Sequence, residues 1–192
     1  VFSATASYDM DTRAFFHKFV KDLRDEQKFL DGAIPNYVPN IGHKDDAGSV
    51  WGDIGTFLPY TLYRYYGSLE ELEYCYPMMK DWVDYIDRKD GERGERHYLF
   101  DFGFHFGDWL ALDGTTQESF KGSTDDTYIA SMYYCQSVKI VKEAAQKLGK
   151  TEDAVRFADL EERIRDAILR EYFTPNGRLA MSTQASYVIA LK

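Results

Sequence analysis

The chain holds 192 residues, 44% of them hydrophobic and 16% aromatic, enough to bury one sizeable core and too apolar for a disordered chain. Its formal charge of −9, with no clustered Lys and Arg, excludes the basic footprint of a nucleic-acid binder. No apolar run reaches the roughly 18 residues of a membrane span, the N-terminus lacks a signal-peptide pattern, and Cys75 and Cys135 lack metal-site spacing and read as small buried hydrophobes.

Helical periodicity dominates, taken from the N-terminus. Val1 to Tyr8 reads as the last two turns of a helix that begins before the first residue, and Asp9-Met10-Asp11 as a tight hairpin into the next. Asp11 is the expected cap of a helix from about Thr12 to Gln27, with Phe15, Phe16, Phe19, Val20 and Leu23 as its apolar stripe. Asp31-Gly32-Ala33-Ile34-Pro35 and Val38-Pro39-Asn40 read as turns between extended pieces, because proline restricts the residue before it. From Trp51 to Tyr66 the chain is apolar nearly all round, the mark of an interior helix, with Pro59 as a kink. Gly67 closes that helix, and the capping box Ser68-Leu69-Glu70-Glu71 opens the next, whose buried face is Leu72, Tyr76, Met79, Val83 and Ile86, with a bend at Pro77.

Between 90 and 122, Tyr98, Phe100, Phe102, Phe104 and Phe106 recur at period two, which predicts a short strand or ribbon near 97–106. Such a row is either a packed wall or a ligand surface. His105 falls on the opposite face, as a surface histidine or a hydrogen-bonding group for a ligand. A fourth helix is expected from Ser123, in a capping-box pattern with Asp126, to Leu148, with Gly149 as its C-cap. The adjacent Asp125 and Asp126 are explained by the positive end of that helix's dipole. Thr151 caps a fifth helix with Val155, Ala158, Ile164 and Ile168 or Leu169 along its apolar side, Thr174-Pro175-Asn176-Gly177 turns the chain, and a sixth helix starts near Ser182 or Thr183 and runs to Lys192 with no stop signal.

The connections alternate in length. Gly67-Ser68 and Gly149-Lys150 are tight, whereas 28–50, 90–122 and 172–182 are long, so in an up-and-down array the long loops gather at one end. Two short motifs fall at that end: Trp51-Gly52-Asp53 and its reverse, Gly107-Asp108-Trp109. An indole suits the C–H face of a pyranose, and a carboxylate takes charge-assisted hydrogen bonds from hydroxyls. Trp51, Trp109, Asp53 and Asp108 are therefore the candidate sugar contacts, and the alternative is that the indoles pack and the aspartates cap helices or hold loops.

The ordered set Val1-Phe2-Ser3-Ala4-Thr5-Ala6, Asp11-Thr12 with Phe15-Phe16, Asp31-Gly32-x-x-Pro35, Val38-Pro39 and Gly48-Ser49-Val50-Trp51-Gly52-Asp53 closely resembles the catalytic domain of the bacterial α-L-rhamnosidases. Pro59-Tyr60-x-Leu62-Tyr63, Tyr76-Pro77-x-Met79, Trp82-Val83-x-Tyr85, Phe106-Gly107-Asp108-Trp109-Leu110, Ala144-Ala145-x-x-Leu148-Gly149 and Thr183-Gln184 continue the resemblance in that family's order. The pair Ile54-Gly55 departs from it, since the family commonly has two small residues there. The resemblance implies an all-α fold, a partial (α/α)6 toroid, in which residues 1–192 form a single piece of roughly half the catalytic domain, truncated at both ends. It also implies an inverting glycoside hydrolase that releases terminal α-L-rhamnose without cofactor or metal, using an acid and a base about 6.5 to 9.5 Å apart. The acid is expected upstream of Val1 and the base downstream of Lys192, leaving this chain no catalytic residue and, in isolation, no activity. Its partners are then a rhamnose-containing glycoside or polysaccharide, with self-association through uncovered apolar flanks. The rivals are a glucoamylase-like or trehalase-like toroid glycosidase and a non-enzymatic carbohydrate-binding scaffold.

Overall fold

A computed structural model describes residues 2–41, 47–114, 116 and 119–191. The expected ends of the first and last helices, Val1 and Lys192, lie outside the described residues. Among those described the chain forms α1 (Ser3–Asp9), α2 (Arg13–Phe29), α3 (Ile54–Tyr66), α4 (Leu69–Gly91), α5 (Asp126–Lys147), α6 (Thr151–Tyr172) and α7 (Gln184–Ala190).

The helices lie in two rows. The odd-numbered ones touch in sequence, α1 on α3, α3 on α5 and α5 on α7, and the even-numbered ones form a second row in which α2 packs on α4. Hairpin partners cross between the rows, α3 against α4 and α5 against α6, with α4 also against α5. This inner and outer layering follows from the patterns. The even helices carry one apolar face and expose the other, whereas α3 buries Gly55, Thr56, Leu58, Pro59 and Leu62. Fully buried Trp82, Tyr128, Tyr134, Phe157 and Leu58 fill the space between rows. Ion pairs stitch the outer row: Arg24 with Asp81 joins α2 to α4, while Asp153 of α6 takes the Tyr76 hydroxyl at 2.8 Å and the Lys80 ammonium at 2.6 Å from α4. Both prolines sit within continuous helices, α3 running through Pro59 and α4 through Pro77.

The tight turns follow their glycines. Gly67, at φ 71°, closes α3 with its N–H on the Tyr63 carbonyl, and the Ser68 side chain accepts the Glu71 N–H at 3.1 Å to start α4. At the other tight turn Gly149 is left-handed, Lys150 N–H reaches Ala145 O at 2.9 Å and Gly149 N–H reaches Gln146 O, the paired bonds of a Schellman motif.

Four local expectations are corrected. The side-chain cap of α5 is Asp125, which accepts the Tyr128 N–H at 2.8 Å, because Ser123 instead turns its hydroxyl to the Asp113 carbonyl. The N-cap position of α6 is Lys150, since a turn this tight leaves Thr151 already helical. At α2 the N-cap is Thr12, and Asp11 accepts the Arg13 N–H from one residue further out. Finally, 97–106 is not a ribbon. Tyr98 and Gly103 have positive φ, which breaks strand geometry, and the backbone is satisfied by side chains: buried Asp90 accepts the His97 and Tyr98 N–H groups, and Ser131 accepts that of Phe100. The described residues instead hold two isolated antiparallel bridges, Trp109 with Lys121 and Phe173 with Leu179, the second closing the Thr174-Pro175-Asn176-Gly177 turn.

Candidate functional site

Both Trp/Asp motifs lie in the long connections, the first between α2 and α3 and the second between α4 and α5. Trp51 sits in the turn that precedes α3, rather than in the helix itself. Val50, immediately before it, has φ of 71°, a conformation that a β-branched side chain adopts only when its surroundings impose it. Asp53 imposes it. One carboxyl oxygen accepts Ser49 Oγ at 3.0 Å and the Val50 N–H at 2.8 Å, and the other accepts the Trp82 indole N–H at 2.9 Å and Ser137 Oγ at 2.7 Å. Asp53 is only 1% exposed, with all its acceptor positions used internally, so it braces the turn from beneath and does not line the cleft.

The two loops are locked to each other by His105. Its Nδ1 accepts the Ser49 N–H at 3.1 Å, so that nitrogen carries no proton, and its ring stands edge-on to Phe100 at 4.5 Å between centroids. At 4% exposure it is neither a surface histidine nor placed to bond a ligand. Burial pushes its pKa below the usual 6.5, outweighing the Phe100 carbonyl and the Asp126 and Asp53 charges that pull the other way. Close backbone approach finishes the joint: a Cβ on Gly48 would lie 2.8 Å from Phe104 O, and one on Gly52 2.4 Å from the Trp82 ring.

Above this base lies a cleft of about 570 Å³, lined by Trp51, Phe106, Asp108 and Trp109 from the loops and by Phe19 and Leu23 of α2. The two indoles are 47% and 43% exposed. Phe106 stands between them, 5.0 Å from Trp51 and 5.4 Å from Trp109, so the period-two aromatics divide: Phe100 is core and Phe106 is wall. Asp108 is the one carboxyl group of the described lining. Its backbone carbonyl accepts the Gly122 N–H at 2.8 Å, and its side chain, which borders the cleft, accepts a hydrogen bond from Thr124 Oγ1 at 3.3 Å. Gly107, at φ 63°, lets this loop pass Asp126, whose Oδ1 would lie 1.9 Å from a Cβ there. The arrangement offers flat apolar faces with a carboxylate acceptor beside them, and thus binding and orientation of a polyhydroxylated ring.

Asp125 and Asp126 act at the α5 start, the first as its cap and the second paired with Lys121. Asp90, His97 and Asp101 bring ligand atoms within 4.8 Å of one another, but backbone N–H groups and Arg93 already claim the two carboxylates. Cys75 is buried and Cys135 half-buried, both free, their thiols pushed up by burial to about 12 and about 11.

Residues 1–192 match the family model of the bacterial alpha-L-rhamnosidase 6 hairpin glycosidase domain. An alpha-L-rhamnosidase of Streptomyces avermitilis is 32% identical over the whole of this chain, which spans 17% of that protein's length, and one of Alteromonas sp. (strain LOR) is 31% identical over 99% of this chain and 20% of its own. The crystal structure of the Streptomyces enzyme complexed with L-rhamnose superposes over 99% of this chain and 17% of that one with a TM-score of 0.82. The native rhamnosidase of Aspergillus terreus, 27% identical, does so over 99% and 22% with a TM-score of 0.84.

Proposed function

The chain belongs to the bacterial α-L-rhamnosidase six-hairpin glycosidase family, and from this we propose that it supplies the sugar-holding walls of an inverting glycoside hydrolase that releases terminal α-L-rhamnose. The observation that carries the reading is the pair of exposed indoles, from two loops, facing one cleft on a buried scaffold. Trp51 and Trp109 cover the apolar faces of the rhamnose ring and its methyl group, and Asp108 accepts a hydrogen bond from a ring hydroxyl. Asp53 serves the same site indirectly, by fixing the Val50-Trp51 turn. Residues 1–192 make up about half of an (α/α)6 toroid, α2, α4 and α6 outside and α1, α3, α5 and α7 inside.

Inversion needs one carboxylic acid to protonate the leaving oxygen and one carboxylate to activate water on the opposite face, about 6.5 to 9.5 Å away. Asp108 alone does not make that pair; in this reading, as the family resemblance implies, both groups come from other parts of a longer protein and the isolated 192 residues do not hydrolyse rhamnosides. The test follows a 4-nitrophenyl α-L-rhamnoside with the full-length protein and with residues 1–192. Release of L-rhamnose, first as the β anomer by NMR, is expected from the former only. First release of the α anomer would overturn inversion, and turnover by the isolated chain would overturn the division of labour.

A further inference from the structure

The aromatic surface does not end at the cleft. Tyr37, Trp51, Phe106, Trp109 and Phe120 follow one another with centroids 5.0 to 6.3 Å apart. Phe120 lies outside the cleft lining, 66% exposed, its ring inclined only 21° to the Trp109 indole and 5.7 Å from it. It is held in place by backbone. Leu110 N–H bonds the Phe120 carbonyl at 2.7 Å and Gly122 N–H the Asp108 carbonyl at 2.8 Å, so the bridge that sets Trp109 against Lys121 sets Phe120 beside Trp109. Phe104, half exposed, stands edge-on to Phe106 at 5.1 Å with the Lys121 ammonium 4.8 Å from its centroid, and Lys121 is itself paired with Asp126.

Singly exposed apolar residues are ordinary, but a contiguous exposed strip running out of a cleft marks a binding surface. In the proposed function the two indoles of the cleft are already taken up by the terminal pyranose. A terminal sugar is joined to the rest of its glycoside through its anomeric oxygen alone, so the part of the substrate that would meet further ring surface continuous with the pocket is the group beyond that oxygen. We propose that Phe120 extends the Trp109 wall into a platform for the group beyond the scissile bond, selecting groups that present a flat apolar face: an aryl ring, or the C–H face of a second sugar. The proposal rests on the rhamnosidase reading.

The test is made in the full-length protein with Phe120→Ala and Phe120→Tyr, on three substrates: methyl α-L-rhamnoside, a 4-nitrophenyl α-L-rhamnoside and a rhamnosyl-glucose disaccharide. With Phe120→Ala, kcat/KM is expected to fall about threefold to tenfold on whichever of the aryl and disaccharide substrates uses the platform. The methyl glycoside and inhibition by free L-rhamnose stay within twofold of wild type, and Phe120→Tyr, which keeps the ring, restores the loss. A fall on the aryl substrate alone identifies an aryl group as the occupant, and a fall on the disaccharide alone identifies a sugar. Equal losses on all three substrates, or no loss on any, overturn the platform while leaving the rhamnosidase reading intact. A wild-type protein that releases rhamnose from none of the three overturns the reading beneath it and the platform with it.

Discussion

His105 gives the loops a joint that depends on its staying neutral. As pH falls below its ordinary 6.5, an unfolded chain binds a proton there while the folded chain, whose histidine pKa lies lower, does not. Folded stability therefore drops on acidification, by at most about 1.4 kcal/mol per pH unit for this one group, and is recovered above that range. His105→Asn keeps an acceptor near the Ser49 N–H and does not titrate, so its urea midpoint is expected to depend less on pH between 7 and 5 than that of wild type. An equal dependence would show that His105 does not set this pH response. Asp53→Asn puts an amide NH₂ where two donors already converge. It is expected to cost about 2 to 4 kcal/mol by urea unfolding and, where the fold survives, to raise KM for an aryl rhamnoside; an unchanged KM would show that Trp51 needs no brace. The pairing of an indole with a carboxyl group was legible in the sequence, but the direction of Asp53 was not, because its partners Trp82 and Ser137 lie 29 and 84 residues away along the chain. His105 was hidden for the same reason, its partner Ser49 being 56 residues distant.

At the scale of elements, signals that act over a turn or less were readable and those that compete were not. The Gly67 and Gly149 turns, the Ser68 cap and the apolar stripes needed only neighbours three or four residues apart. Ser123 and Asp125 both suit a cap, and the choice between them depended on Asp113, ten residues back. The row Tyr98 to Phe106 has strand periodicity but no strand to pair with among the described residues, and its backbone found side chains of α4 and α5 instead. Gly149 can be tested directly. A methyl group there meets no atom within 4 Å, so the cost of Gly149→Ala is the left-handed backbone alone, about 1 kcal/mol in a denaturant midpoint. A neutral result would mean that the turn relaxes away from φ 70°.

At the scale of the molecule, the outer-row ion pairs are partly exposed, and such pairs are typically worth under about 1 kcal/mol each, so the buried layer between the rows holds the fold. Apolar side chains remain exposed at both margins, Phe2, Tyr8, Met10 and Phe15 on one side and Tyr187, Val188 and Leu191 on the other. Residues 1–192 in isolation are accordingly expected to self-associate or fold poorly, and a stable monomer by light scattering would contradict that. In the proposed function the loops between these helices present Trp51 and Trp109 as the walls of a rhamnose pocket. The most direct measurement is kcat/KM for release of L-rhamnose by the full-length protein, wild type against Trp51→Ala and Trp109→Ala, with thermal unfolding to check the fold. Each variant is expected to lose about tenfold to a hundredfold with little change in Tm. Wild-type turnover left unchanged by both substitutions would contradict that role.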